Sequence, residues 1–108
     1  MKDNEIIAER KLIFIAPDGD ETFSSIQLGH PYDNEQYGCC CDIEIPDIKK
    51  RKFTAGVDSM QAIQLSMLTM FTILDVMQSK GWKFLWPDTR EETTAKELFN
   101  FELSKSSD

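Results

Sequence analysis

Histidine is nearly missing from this chain. His30 is the only one, so any Ser-His-acid triad or histidine-based metal centre would have to run through it. Set between Gly29 and Pro31, it reads as a turn residue. Glycine is sparse, and no Gly-rich run is present that could cradle a phosphate. Positive charge is also scarce: 12 Lys and Arg stand against 19 Asp and Glu, a net charge of −7. That balance argues against a nucleic-acid partner, because neutralising phosphates requires a basic surface. From Pro17 to Asp47 there is no Lys or Arg at all. The N-terminus, Met1 to Glu5, lacks the apolar run of a secretion signal, so a cytoplasmic location is expected. The three cysteines are adjacent, Cys39, Cys40 and Cys41. Neighbouring positions on a strand point to opposite faces, unlike the two-to-four-residue spacing that turns paired thiolates toward one zinc ion. Cys39 and Cys41 are therefore expected to be small buried groups and Cys40 an exposed, oxidisable one. Paired carboxylates lack the spacing of a calcium loop. No catalytic residue, cofactor or metal site is expected.

What is present points to one domain. A chain of 108 residues buries roughly two-thirds of its unfolded surface and needs no disulfide or metal to hold it. Residues 1–108 read as a single unit, with a core over about 5–87, a C-terminal segment at 88–103 and a frayed end at 104–108. Ile6 to Ala16 is rich in β-branched and aromatic residues, Pro17-Asp18-Gly19-Asp20 is a turn tetrad, and Thr22 to Leu28 resumes the extended pattern, which predicts a hairpin. Cys39 to Ile45 alternates with period two, placing Cys39, Cys41, Ile43 and Ile45 on one face and Cys40, Asp42 and Glu44 on the other. Pro46 ends it, and Lys49-Lys50-Arg51-Lys52 reads as a basic loop.

One long helix dominates the second half. Asp58 is placed as N-cap with Gln61 three residues on, and Val57 with Ala62 as an apolar staple. Between Met60 and Met77 apolar residues cover more than half of the helical surface, so the helix is expected to be mostly buried, with Leu68 in the core. Its polar residues exclude a membrane span. Gly81 then supplies a left-handed C′ residue and Trp82 a C″ apolar contact. Lys83 to Trp86 reads as a short strand. Asp88 with Glu91 suggests helical turns near Thr89 to Lys96, and Leu98 to Leu103 a final strand. The result is an α+β fold: an antiparallel meander of three to four strands on one long helix, followed by a short C-terminal helix or strand.

Two resemblances attach to particular residues. The run Gly56-Val57-Asp58-Ser59-Met60-Gln61-Ala62-Ile63-Gln64-Leu65 is similar to the attachment site of acyl and peptidyl carrier proteins, which implies phosphopantetheine on Ser59. Taken together with Ala8-Glu9-Arg10-Lys11-Leu12, the turn Gly29-His30-Pro31, the cysteine-rich strand and the Gly81-Trp82 ending, the same run resembles a family of small bacterial domains of unknown function, and implies an α+β domain. In size, acidity and build the chain is also similar to immunity proteins that neutralise interbacterial toxins. The expected function is therefore non-enzymatic binding, foremost neutralisation of a basic toxin by occlusion, with an accessory domain for another partner or a carrier-like protein as alternatives. The expected contact residues are Asp18, Asp20, Glu21, Tyr32, Asp33, Glu35, Tyr37, Asp42 and Glu44, the two tyrosines serving as anchors. No nucleic acid and no membrane is expected as a partner. Self-association as a homodimer is a further expectation.

Overall fold

The computed structural model describes residues 5–99. Strands β1 (Ile6–Ile15) and β2 (Glu21–Gly29) form the expected hairpin, in register from Ala8 opposite Leu28 to Ile15 opposite Glu21. Gly19 adopts φ 94° in its turn, where the Asp18 carboxylate accepts the Asp20 amide at 3.0 Å. The bend at His30 leads into β3 (Tyr32–Asn34), which turns back onto β4 (Gly38–Ile45). A single 3-10 turn at Pro46–Ile48 and a left-handed Lys49 (φ 58°) then reverse the chain into β5 (Lys50–Gly56). Helix α1 (Ser59–Ser79) crosses to β6 (Lys83–Leu85), which pairs with β1, and β7 (Glu92–Thr93) and α2 (Ala95–Leu98) follow. The sheet runs β5-β4-β2-β1-β6-β7, with β3 on the β2 side of β4. Every pairing is antiparallel.

This is the expected α+β architecture, with a wider sheet. The additional long strand is β5, where a basic loop was expected. Lys50-Arg51-Lys52 offers no apolar alternation to read, yet β5 pairs with β4 along its whole length.

The two ends of α1 follow from local chemistry. Asp58 accepts the Gln61 amide at 2.8 Å, and the Gln61 side chain reaches back to the Val57 amide at 2.7 Å, so two orphan donors are satisfied reciprocally. The staple does not form, because Val57 is 88% exposed. At the other end the Trp82 amide donates to the Met77 carbonyl (3.1 Å) and the Gly81 amide to that of Gln78 (3.0 Å), with Gly81 at φ 102°. That is a Schellman ending.

The helix is not mostly buried. Ala62, Ser66, Met70, Leu74 and Met77 form one stripe against the sheet, but only 28% of its most apolar stretch, long and apolar enough by composition to cross a membrane, is buried. Leu68, expected in the core, is 58% exposed, and Met60 and Val76 are exposed as well. Apolar residues surround α1, whereas the sheet covers one side. Part of a second side is covered by the segment after β7, where Phe99 meets Phe71 edge-on at 6.3 Å.

Leu12, Phe14, Ile26, Leu28, Ile43 and Ile45 of the sheet pack with this stripe, and Ala95, Leu98 and Phe99 join the same core. Phe14 and Phe84 meet edge-on at 5.6 Å. A polar pin fixes α1 to β5: the Thr54 hydroxyl donates to the Ala62 carbonyl at 2.9 Å and accepts from the fully buried Ser66 hydroxyl at 2.6 Å.

The C-terminal segment differs from the expectation. Asp88 starts no helix; its carboxylate accepts the Thr89 amide, and the Trp86 amide closes a tight loop on the Glu91 carbonyl at 2.9 Å. The helix begins later, at Ala95, because Thr94 and Glu97 form the better cap: the Glu97 amide donates to the Thr94 hydroxyl, which donates to the Glu97 carboxylate. Leu98 ends that helix and does not open a strand. Residues 100–103 and the tail at 104–108 lie outside the described residues.

Candidate partner-binding surface

The face of the sheet turned away from α1 carries one concentrated feature, on the wing made by β3, β4 and β5. Its hairpin is shaped by Asn34, whose side-chain oxygen accepts the amides of Gln36 (2.8 Å) and Tyr37 (3.1 Å), and by Gly38 at φ 93°. Register then sets the rows. Tyr32, Cys40 and Ala55 lie side by side, as do Asp42 and Phe53, then Glu44 and Arg51. The Tyr32 hydroxyl donates to Asp42 at 3.0 Å, so its ring spans from position 40 to position 42. The Tyr37 and Phe53 rings stand 5.3 Å apart. Tyr32, Tyr37 and Phe53 are 42%, 52% and 49% exposed, each offering about half of a large ring to solvent.

The Tyr32 ring also revises the cysteine expectation. Cys40, expected to be exposed, is 1% exposed, because the phenol that reaches for Asp42 covers it from the outer side. Cys39 is half-buried and Cys41 fully buried. Burial pushes the Cys39 thiol up, with Asp33, Cys40 and Asp58 adding to it. Burial does the same to Cys41, with Asp42 and Cys39 adding to it and the neighbouring Ser66 opposing. Neither thiol is poised as a nucleophile. Among the described residues no group of three His, Cys, Asp or Glu converges on a metal-binding arrangement.

Burial also pushes the Tyr32 phenol up to about 12, aided by its hydrogen bond to Asp42 and by the charges of Asp42 and Cys40, with Arg51 opposing. Asp42 is held from two sides, by Tyr32 on one oxygen and by Arg51 at 3.6 Å on the other. The acid-only run and the basic run that follows it are therefore neighbours in the fold, paired across β4 and β5.

The nine expected contact residues fall into two groups. Asp18, Asp20 and Glu21 lie at the β1–β2 turn, where both Glu21 oxygens accept Arg90 at 3.0 Å. Tyr32, Asp33, Glu35, Tyr37, Asp42 and Glu44 lie on the β3–β4 wing. Strand β2 sets the two groups apart: Glu21 opens it, and Glu44 sits opposite Gln27, six residues and so roughly 20 Å further on. Within the wing, Asp33 pairs with Cys39 and so points to the opposite face from Tyr32, Glu35 is in the exposed turn, and Glu44 sits opposite both Arg51 and Gln27. Phe53 is the contact residue that sequence reading missed. Its signal was its place three residues beyond Lys50, on a strand that no apolar alternation announced.

Together these observations define a two-layer α+β domain, one long helix on one sheet face and an aromatic and acidic surface on the other. Residues 8–95 match the model of a protein family described as Domain of unknown function (DUF6968). The chain belongs to that family. No curated protein and no solved structure matches it.

Proposed function

We propose that this chain is a non-enzymatic binding domain that holds a basic protein partner on the outer face of the β3–β4–β5 wing. The observation that carries the reading is the cluster of half-exposed rings, Tyr32, Tyr37 and Phe53, bordered by Glu35, Asp42 and Glu44. Rings held by a sheet offer large contact area at little entropic cost, and they anchor interfaces out of proportion to their number. Carboxylates around them raise the rate at which a positively charged partner arrives. The form of this function that the acidity and small size favour is that of a bacterial immunity protein, acting in the cytoplasm by covering a toxin that needs positive charge to hold nucleic acid or a nucleotide.

The test is genetic and then kinetic. Co-expression with the product of the adjacent reading frame should rescue growth, and the purified pair should associate more slowly as salt rises or with Glu35→Lys. Tyr37→Ala with Phe53→Ala should lengthen no step of folding yet accelerate dissociation. An association rate indifferent to salt and to charge reversal would sink this mechanism, and a tight but harmless partner would leave the accessory-domain reading in its place.

A further inference from the structure

A second surface of opposite polarity lies on the helix side of the sheet. Strand β5 is a sheet edge: among the described residues it pairs with β4 alone. Lys50 and Lys52 lie opposite Ile45 and Ile43, two residues of the core, so they stand on the face that α1 covers. Between them and the C-terminal half of α1 runs a cleft of about 390 Å³, with Ile73, Val76 and Trp82 as its apolar wall and Lys80 at its end. No Asp or Glu lines it. In a chain of net charge −7, this is a strong local reversal.

We propose that this cleft takes an extended acidic segment of a partner protein, added as a further strand to the free edge of β5. An edge strand offers unpaired backbone donors and acceptors, and an added strand puts every second side chain on one face. The two-residue spacing of Lys50 and Lys52 matches that period, so Asp or Glu at alternate positions of the incoming segment falls opposite them. The charges also select the occupant: Lys50-Arg51-Lys52 repels a second β5 edge, as lysines on edge strands do, and admits an acidic strand. This surface is separate from the aromatic wing and stands or falls independently of it.

The probe is a labelled peptide alternating Glu with Val, added to the full chain and followed by fluorescence anisotropy. A peptide alternating Lys with Val, and the acidic peptide with the amides of one edge N-methylated, serve as comparisons. The acidic peptide should bind, more weakly as salt rises. Lys50→Glu with Lys52→Glu should weaken it by about tenfold or more, and Lys80→Glu, which lies outside the sheet, should weaken it with the fold intact by circular dichroism. Tyr37→Ala should leave it unchanged. Failure of the acidic peptide to bind, equal binding of the basic one, or indifference to both lysine variants overturns the proposal. Equal binding of the N-methylated peptide overturns strand addition. Self-association lost in the lysine variants, without peptide binding, would assign the edge instead to a second copy, whose β7 edge carries Glu92.

Discussion

Raising pH should release Tyr32 late, and the cause can be dissected. In a Tyr37→Phe background Tyr32 is the only tyrosine left, since the chain has two, so tyrosinate absorbance reports it alone. Its phenol should ionise with a midpoint at about 12, against an ordinary value of 10.0. The raised value means that the folded chain favours the neutral phenol. The stabilisation is therefore present in full below about pH 10 and is lost as pH climbs through about 12. Asp42 contributes in two ways, as the acceptor of the hydroxyl at 3.0 Å and as a nearby negative charge. Asp42→Asn removes the charge and should bring the midpoint down, though not to 10.0, because burial is the largest cause and remains. Asp42→Ala removes the acceptor as well and frees the ring to swing off position 40, so in that variant Cys40 should become open to a thiol reagent that leaves the parent unmodified there. A midpoint of 10 in the parent, or one that Asp42→Asn does not move, would refute the placement of Tyr32 along the strand.

Three further outcomes test the packing. Leu74→Ala empties a fully buried site and should cost about 2 to 5 kcal/mol, while Leu68→Ala on the solvent side of the same helix should stay within about 0.5 kcal/mol; urea titrations showing equal losses would reverse the helix. Thr54→Val should cost about 1 to 3 kcal/mol by stranding the Ser66 hydroxyl, and Thr54→Val with Ser66→Ala should cost less than the sum of the single changes, additivity within about 0.3 to 0.5 kcal/mol arguing against the pin. Gly56→Ala would put its new carbon 2.9 Å from the Ala62 amide nitrogen, so thermal melting should show a loss of about 1 to 3 kcal/mol; an unchanged melt would mean that β5 does not approach the helix so closely.

Some of this fold was legible because its causes are local. The Pro17 to Asp20 turn between two β-branched runs, the Asp58 cap and the Gly81 ending each depend on residues within a few positions of one another. Strand β5 was hidden because its identity depends on β4, and Lys50-Arg51-Lys52 carries no period of its own. Missing that strand also hid Phe53, and with it the ring that completes the pair of tyrosines already singled out. The acid-only run was plain to read, but its partial neutralisation by Arg51 depends on register between strands. Cys40 was misplaced for a related reason: alternation correctly sends it to the outer face, and only the reach of Tyr32 toward Asp42 turns that face into an interior.

The route of α1 across the sheet has a consequence for synthesis on the ribosome. Strands β1 to β5 are neighbours in sequence and can pair as they emerge, but the second edge of β1 waits for β6, where Ile13 meets Leu85. At about 5 to 20 residues per second, the intervening chain takes several seconds to appear. During that interval the run Leu12-Ile13-Phe14-Ile15 lies on an open edge, apolar and uncharged with two β-branched residues, the composition that pairs with strands of other nascent chains. Arg10 and Lys11 before it and Pro17 after it are placed where gatekeepers against such pairing belong. The late arrival of three residues, Lys83–Leu85, thus closes the second edge of Ile13, Phe14 and Ile15.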